Sequence, residues 1–578
     1  RIYNDLGKLN KSIKFYEKAI SIKKDYYIAY NNLGKVLFDL GRKDQSIKMY
    51  LSAISINPNY HFAYYNIGFA LSETIFKKHN PLLNNIFITL LDKKTLIRPT
   101  DIFASINSHL KIDVNTKNII NKILSEDSNA SIEKNIIKLS NNLLLMKLMK
   151  VCELPDTEFE NLLTKIRSYI LLNISEIKFT SHFLLFQIAL SIQCFINEYI
   201  YNISENETKA LKNLENIVFD KFERGLHVDS ALLVCLASYK PLYNYPWVNL
   251  INNKKDIKDL IKIQILEPKN ENILSSKIPT LKKINDKISS KVKKQYEENP
   301  YPRWINIGLP ISPLTISDFI ETLNLKIYEK KIHDCHKPNI LIAGCGTGQH
   351  SITTSQTFQN SKVIAIDLSL RSLSYAKRKT DEFNINNIEY IQADILDLPL
   401  LNKKFDIIES VGVIHHMDDP MNGLKVLVDC LKPGGLMNIG LYSELARKNI
   451  TITRNEIFEL GISNSENEMR SFRKRIINSK INHHNYIKEN YDFYTLSALR
   501  DLLFNVQEHH FNIPQIQEIL KNYNLKFCGF QNQKIIKNFK ADFSDKDSLY
   551  DLSKWNIFEM NNPAAFINMY QFWCQKVI

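Results

Sequence analysis

The sequence predicts an all-α amino-terminal part, made of a repeat region and a helical middle region, followed by an α/β domain with a doubly wound, seven-stranded sheet. Two observations carry this. Residues 34 positions apart recur across the first part of the chain, and from residue 339 onward short β-branched runs alternate with helical patterns. Strands separated by helices pair in parallel, with the helices covering the sheet. The expected boundaries are residues 1–80, 81–290, a linker or cap at 291–330, and 331–578 with a lid-like insertion at 444–510.

The repeats come first. Leu33-Gly34, Leu37, Ser46, Tyr50, Ala53 and Pro58 set the pattern. Ile67-Gly68 and Leu71 repeat its first half, and Gly7, Ser12, Tyr16 and Ala19 anticipate its second. The period is that of a helix-turn-helix repeat. Small residues let paired helices approach, and Leu37 and Tyr50 fill the space between them. The pattern resembles tetratricopeptide repeats, which implies an all-α solenoid with a protein or peptide partner. At least three repeats are normally needed for a stable stack. The chain opens on Arg1 part-way through one, so the array is expected to begin upstream.

Residues 81 to about 290 show helical spacing and no recognisable chemistry, with candidate helices at 115–125, 131–150, 158–172, 179–200 and 207–223. Phe179 to Asn197 contains no Asp, Glu, Lys or Arg and approaches the length of a membrane span. Thr180, Ser181, His182, Gln187, Ser191 and Gln193 interrupt it, so a buried helix is expected and no membrane span. The linker contains QYEENPYPRW at 295–304, an ordered proline-bearing loop.

NILIAGCGTG at 339–348 concentrates three of the chain's 16 glycines. A strand running into glycines marks a tight turn with backbone close to a ligand, and the next helix offers free N–H groups. The spacing excludes two alternatives. Gln349 stands where a GxGxxG fingerprint needs its third glycine, and no Lys-Ser/Thr pair follows as in a P-loop. KVIAID (362–367) ends a second strand in a carboxylate able to hold ribose hydroxyls. IEYIQADILD (388–397) gives a third strand ending at Asp394, FDIIESV (405–411) a fourth, and LKPGGLMNIGL (431–441) a fifth. LKFCGF (525–530) and MYQFWCQK (569–576) give the last two, as an antiparallel hairpin, with a helix around 514–522 before them.

Together, residues 339–442 resemble a class I S-adenosylmethionine-dependent methyltransferase, with a Rossmann-like fold, of the small-molecule branch that includes quinone-biosynthesis enzymes. The resemblance implies S-adenosyl-L-methionine as cofactor. It places Gly344, Gly346 and Gly348 at the methionine moiety, Asp367 at the ribose and Leu368 beside the adenine. It places Asp394 and Ile395 at the adenine edge and Ser410 and Val411 under the sulfonium. One position departs: Ile342 stands where the family usually carries a carboxylate. The linker resembles a segment upstream of this domain in bacterial proteins that join such repeats to a methyltransferase, so Tyr296, Tyr301, Arg303 and Trp304 are candidates for covering cofactor or meeting substrate, or for interdomain packing.

Methyl transfer needs the acceptor held in line with the donor, and a base only if the acceptor must first lose a proton. His415 and His416 are the candidate bases, with loop packing as the alternative, and His509 and His510 are further candidates. In the insertion, Arg470, Arg473, Lys474 and Arg475 form either an acidic-substrate site or a solvated helix face. The sequence after the fourth strand, ESVGVIHH, lacks the Asn/Asp-Pro-Pro-aromatic motif of adenine-N6 and glutamine methylation, the Pro-Cys of cytosine-C5 enzymes and the second glutamate of arginine methyltransferases.

The net charge of +14 and pI near 9.0 are spread without long like-charge blocks, which argues against a nucleic-acid partner. Eight scattered cysteines without a CxxC pair point to free thiols in a reducing cytoplasm and to no metal site. The expected function is methyl transfer to an unidentified small-molecule, protein or carrier-bound acceptor, with the repeats recruiting substrate or partner. The alternatives are an interaction adaptor whose domain binds cofactor without turnover, and an RNA methyltransferase.

Overall fold

The repeat pattern folds as helix pairs: α1 (Leu9–Ile22), α2 (Tyr27–Asp39), α3 (Lys43–Ile56) and α4 (His61–Ser72). A Cβ on Gly34 would lie 2.7 Å from the Tyr50 ring, and Ser46 Oγ donates to the Gly34 carbonyl at 2.7 Å. The small, hydroxyl and aromatic positions of the repeat thus meet across one helix pair. The computed structural model describes residues 8–125, 129–251 and 254–577; Gly7 lies outside them.

The chain divides into two units, Arg1–Ile261 with Trp304–Ile311, and Lys262–Arg303 with Ser312–Ile578. The first is helical. The expected 131–150 helix is two, Asn129–Leu139 and Leu143–Val151, because Asn142 turns out of the first and accepts the Leu145 N–H as cap of the second. Helix Ser181–Ile196 is buried along most of its length, and Gln187 donates to the Ala231 carbonyl at 2.9 Å. Among the described residues, no helix is long and apolar enough to cross a membrane. Trp304–Ile311 joins this unit through Asn306 Nδ2 to the Leu91 carbonyl at 2.7 Å and Ile307 N to that of Lys94 at 2.8 Å.

The second unit holds a seven-stranded sheet in the order β3-β2-β1-β4-β5-β7-β6. Its strands are β1 (Asn339–Ala343), β2 (Lys362–Asp367), β3 (Ile388–Gln392), β4 (Phe405–Val411), β5 (Leu431–Leu441), β6 (Leu525–Phe530) and β7 (Tyr570–Lys576). β1 to β5 are parallel, and β7 runs antiparallel between β5 and β6. Leu341 and Ala343 enter the core on one face of the sheet, Ile340 and Ile342 that on the other. Strand order reverses between β1 and β4, the switch point where open α/β sheets bind ligands.

Three sequence expectations are corrected. β3 stops at Gln392, and Asp394 instead caps a short 3-10 helix by accepting the Leu396 N–H. β6 and β7 are no tight hairpin, since helices Gln533–Asp542 and Leu552–Asn561 lie between them. Residues 262–290, expected with the middle region, pack on the sheet unit. Pro279 and Leu281 exchange backbone hydrogen bonds with Gln392 of β3, and Glu271 accepts from Arg378 at 2.7 Å.

The insertion is helical: Lys448–Glu459, Glu466–Asn478, Asn482–Lys488 and Leu496–Phe504. It does not present a basic face to substrate. Arg473 is buried, donates to the Phe493 carbonyl and lies 4.4 Å from that ring. Arg470 pairs with Glu466 and Arg475 with Glu456.

Candidate active site

The glycine loop is shaped by backbone contacts that leave no room for side chains. Gly344, Gly346 and Gly348 all have positive φ, at 81°, 52° and 87°, a region unfavourable for other residues. A Cβ on Gly344 would lie 2.4 Å from a Val413 methyl, and one on Gly346 2.8 Å from the Tyr301 carbonyl oxygen. Gly348 begins helix α5 (Gln349–Thr357), and its Cβ would lie 2.5 Å from that of Ala376 on helix α6 (Leu370–Glu382).

Strand β2 delivers Asp367 to this loop. One carboxylate oxygen accepts the Gly346 N–H at 2.8 Å and the other that of Ser369 at 2.9 Å. Burial pushes its carboxyl up from the usual value, against those backbone donors. Glu297 caps α6 by accepting the Leu370 N–H at 2.7 Å, and Ser369 Oγ donates to the Tyr296 carbonyl at 3.1 Å. The 295–303 segment is therefore sewn to the ends of β1 and β2.

These groups enclose a cavity of about 280 Å³. Gly344, Gly346, Asp367 and Leu368 line it from one side, Asp394, Ile395 and Val411 from the next strand ends, and Tyr296, Tyr301 and His416 over the top. Five predicted residues stand outside it. Gly348 packs on α6, and Ser410 turns its hydroxyl to the Ala343 carbonyl at 3.2 Å. His415, Arg303 and Trp304 do not line it either; Trp304 is buried and clusters with the helical unit.

Residues 340–435 match a family model described as a methyltransferase domain, and residues 1–41 and 34–74 match one described as a TPR repeat. This chain carries a methyltransferase domain behind TPR repeats. The cofactor of such a domain is S-adenosyl-L-methionine. An uncharacterized Synechococcus protein is 29% identical over 39% of this chain and 56% of its own length. The demethylmenaquinone methyltransferase of Oceanobacillus iheyensis is 29% identical over 20% of this chain and 46% of its own. The chain thus spans about half the length of these relatives. The solved structure of PKMT2 from Rickettsia typhi aligns over 46% of this chain and 53% of its own at 17% identity, with a TM-score of 0.33.

The histidine pair of the methyltransferase domain divides. His415 is fully buried with neither ring nitrogen hydrogen-bonded, and its ring centroid lies 3.8 Å from that of Tyr442. Burial, then His416 and Arg447, hold its imidazole well below the usual value. It is a neutral packing group, not a base at the cavity. His416 lines the cavity, with Nδ1 2.7 Å from the Gln507 carbonyl oxygen. His509 donates its backbone N–H to the His415 carbonyl, and His510 pairs with Glu508 at 2.6 Å, so both serve the loop.

Two groups of residues escaped the sequence reading. Glu409 stands directly beside Ile342 in the β1–β4 register. Its buried carboxylate lies 2.7 Å from His350 Nε2 and accepts from Asn438 and Thr354, both at 3.0 Å. Burial pushes its pKa up, but His350 and these donors outweigh it and hold the carboxyl below its usual value. His350 lines the cavity and Glu409 stands behind it, outside the lining. The second group comes from the insertion. Asp501 lines the cavity and accepts the Tyr296 hydroxyl at 2.6 Å and Asn505 Nδ2 at 2.9 Å, while Asp492 accepts the Tyr301 hydroxyl at 3.2 Å. No heptad or motif spacing joins residues 296–301 to 492–505, and only the fold brings them together.

Proposed function

We propose that this chain is an S-adenosyl-L-methionine-dependent methyltransferase whose repeats recruit a protein or carrier-bound substrate or partner. The observation that carries this reading is the convergence of the Gly344–Gly346 turn, Asp367 and Asp394 on one cavity at the switch point of the sheet. The lining also fits the charge of the group. Asp367 and Asp394 line the cavity at the nucleoside's place, and among the described residues no Lys or Arg lines it. The carboxylates would repel a nucleotide phosphate there, whereas a sulfonium nucleoside meets charge of the right sign.

Asp367 would hold the ribose hydroxyls, Asp394 and the Ile395 N–H the adenine edge, and the glycine turn with His350 the methionine end. Bound there, the cofactor supplies an electrophilic methyl group. The chain's own part is to hold the acceptor in line and keep water away, which Tyr296, Tyr301 and Tyr442 serve as the cavity wall.

Calorimetry on the full chain tests this. S-adenosyl-L-methionine should bind, and Asp367→Ala should weaken it by about 10- to 100-fold, as loss of hydrogen bonds to a charged acceptor predicts. Absence of binding rejects the reading. Binding without methyl transfer to any component of a cell extract favours the adaptor alternative, and strongly salt-dependent RNA binding would favour an RNA acceptor.

A further inference from the structure

The insertion-side end of the cavity has a chemistry that the cofactor does not account for. With Asp367 and Asp394 assigned to the nucleoside, Asp501 remains. It is 6% exposed. Its Oδ1 accepts from Tyr296 and Asn505, and among the described residues no donor is seen on Oδ2, which is left for a ligand. Asp492 stands behind it as a second carboxylate, and the hydroxyls of Tyr296 and Tyr301 are donated to this pair. Arg447, a cation whose charge acts on both carboxylates, is already bound in a fork to Glu508 at 2.7 and 2.9 Å and lies over the Tyr442 ring at 3.6 Å. Basic residues gather elsewhere. A separate, larger depression at the amino-terminal strand ends is lined by Lys337, Lys362, Lys403 and Lys404. In a chain of net charge +14, an acceptor end with carboxylates and phenols and, among the described residues, no lining Lys or Arg selects by charge.

We infer that the methyl acceptor is a positively charged amine, held through its ammonium group by Asp501 among Tyr296, Tyr301 and Tyr442. Anionic acceptors such as carboxylates and phosphate esters would be repelled. The ammonium gives one proton to the Asp501 carboxylate, and the freed lone pair forms the N–C bond. The C–S pair withdraws to sulfur as that bond breaks, so the positive charge passes from sulfur to the methylated nitrogen. Asp492 lies beside Asp501, and burial followed by that neighbour pushes its carboxyl up to about 6, so a second carboxylate of raised proton affinity stands next to the one that meets the ammonium.

This inference rests on the methyltransferase reading, and its test keeps the two apart. The full chain is incubated with methyl-labelled S-adenosyl-L-methionine and an extract of its own cell, and the labelled product is classified. A base-stable product retained on a cation exchanger is expected. A base-labile ester or a neutral ether overturns the amine acceptor while leaving the methyltransferase intact. No labelled product at all removes both. In parallel, the chain loaded with S-adenosylhomocysteine is titrated with spermidine, a lysine peptide and dodecanoate. An amine should bind, dodecanoate should not, and the reverse order overturns the inference. Asp501→Asn should cut transfer at least 100-fold while leaving cofactor Kd within threefold; equal loss in both would make Asp501 merely structural. Tyr296→Phe, a milder change, should lower transfer about tenfold with the same unchanged Kd.

Discussion

At one end of the cavity Asp367 and Asp394 stand at or just past strand ends and take backbone N–H donors, whereas at the other Asp492 and Asp501 stand on the insertion and take phenol hydroxyls. Burial raises the proton affinity of Asp367, but backbone N–H groups of Ser369 and Gly346 resist it. Asp492 has one phenol and the charge of Arg447 against burial and a neighbouring carboxylate. Fixed N–H dipoles hold the Asp367 carboxylate still and oppose, without cancelling, the rise that burial imposes, as a nucleoside clamp requires. Phenols and a second carboxylate leave it ready to exchange a proton, as an acceptor end requires.

The largest effect that would test this contrast is at the glycine turn. Gly344→Ala puts a Cβ 2.4 Å from Val413 at a φ of 81°, so the turn must open and the clamp end fails. Cofactor affinity should fall more than about 30-fold, since about two or more kcal/mol of strain and lost contacts are involved. Calorimetry measures it, with circular dichroism to check that the sheet survives. A Kd within threefold of wild type would mean that the turn does not face the cofactor. A smaller effect is expected from Glu409→Gln, which leaves the fold's geometry but removes the charge that His350 leans on. We expect about tenfold weaker cofactor binding, ~1.4 kcal/mol. His350→Ala should do the same, and the double variant should add nothing further. Additive losses would show that the two residues act separately and that the position held by Ile342 is not served from β4.

The clamp end was legible in the sequence because it is local. Gly344, Asp367 and Asp394 each follow a strand that its own β-branched run announces, and a parallel sheet sets those strand ends side by side. Asp394 shows the limit. It was read as the last residue of a strand, but its carboxylate prefers the Leu396 N–H and turns the chain early. The acceptor end was not legible. Tyr296 and Asp501 are 205 positions apart, and nothing in either segment marks the other. Ser410 and His415 were misplaced for a related reason. The register puts Ser410 against the Ala343 carbonyl, and His415 faces Tyr442, contacts that only neighbouring strands and the insertion create. The repeats were legible from period alone, and the pair that holds Gly34, Ser46 and Tyr50 packs its small, hydroxyl and aromatic positions against one another.

The smallest effect is the most pointed, because it has opposite signs on folding and on function. The carboxyl of Asp492 is pushed up from 3.8 to about 6. A folded-state value above the unfolded one means that the fold binds the proton more tightly. Stability from this group is therefore fully present below about 3.8 and is lost as pH rises through about 6. At neutral pH the charged carboxylate costs ~1–3 kcal/mol. Asp492→Asn keeps an oxygen for the Tyr301 hydroxyl and removes that cost, so it should raise Tm by about 2–10 °C at pH 7.5. The gain should shrink to about a third at pH 4.5 and vanish only below the unfolded value of 3.8, with cofactor Kd unchanged throughout. Amine methylation should fall at the same time, because the proton-accepting pair has lost a member, the trade expected when a strained group is kept for its chemistry. Thermal unfolding at the two pH values decides it. A Tm gain independent of pH, or no gain at all, would show that Asp492 is an ordinary paired carboxylate and that the two ends of the cavity do not differ in the way their partners imply.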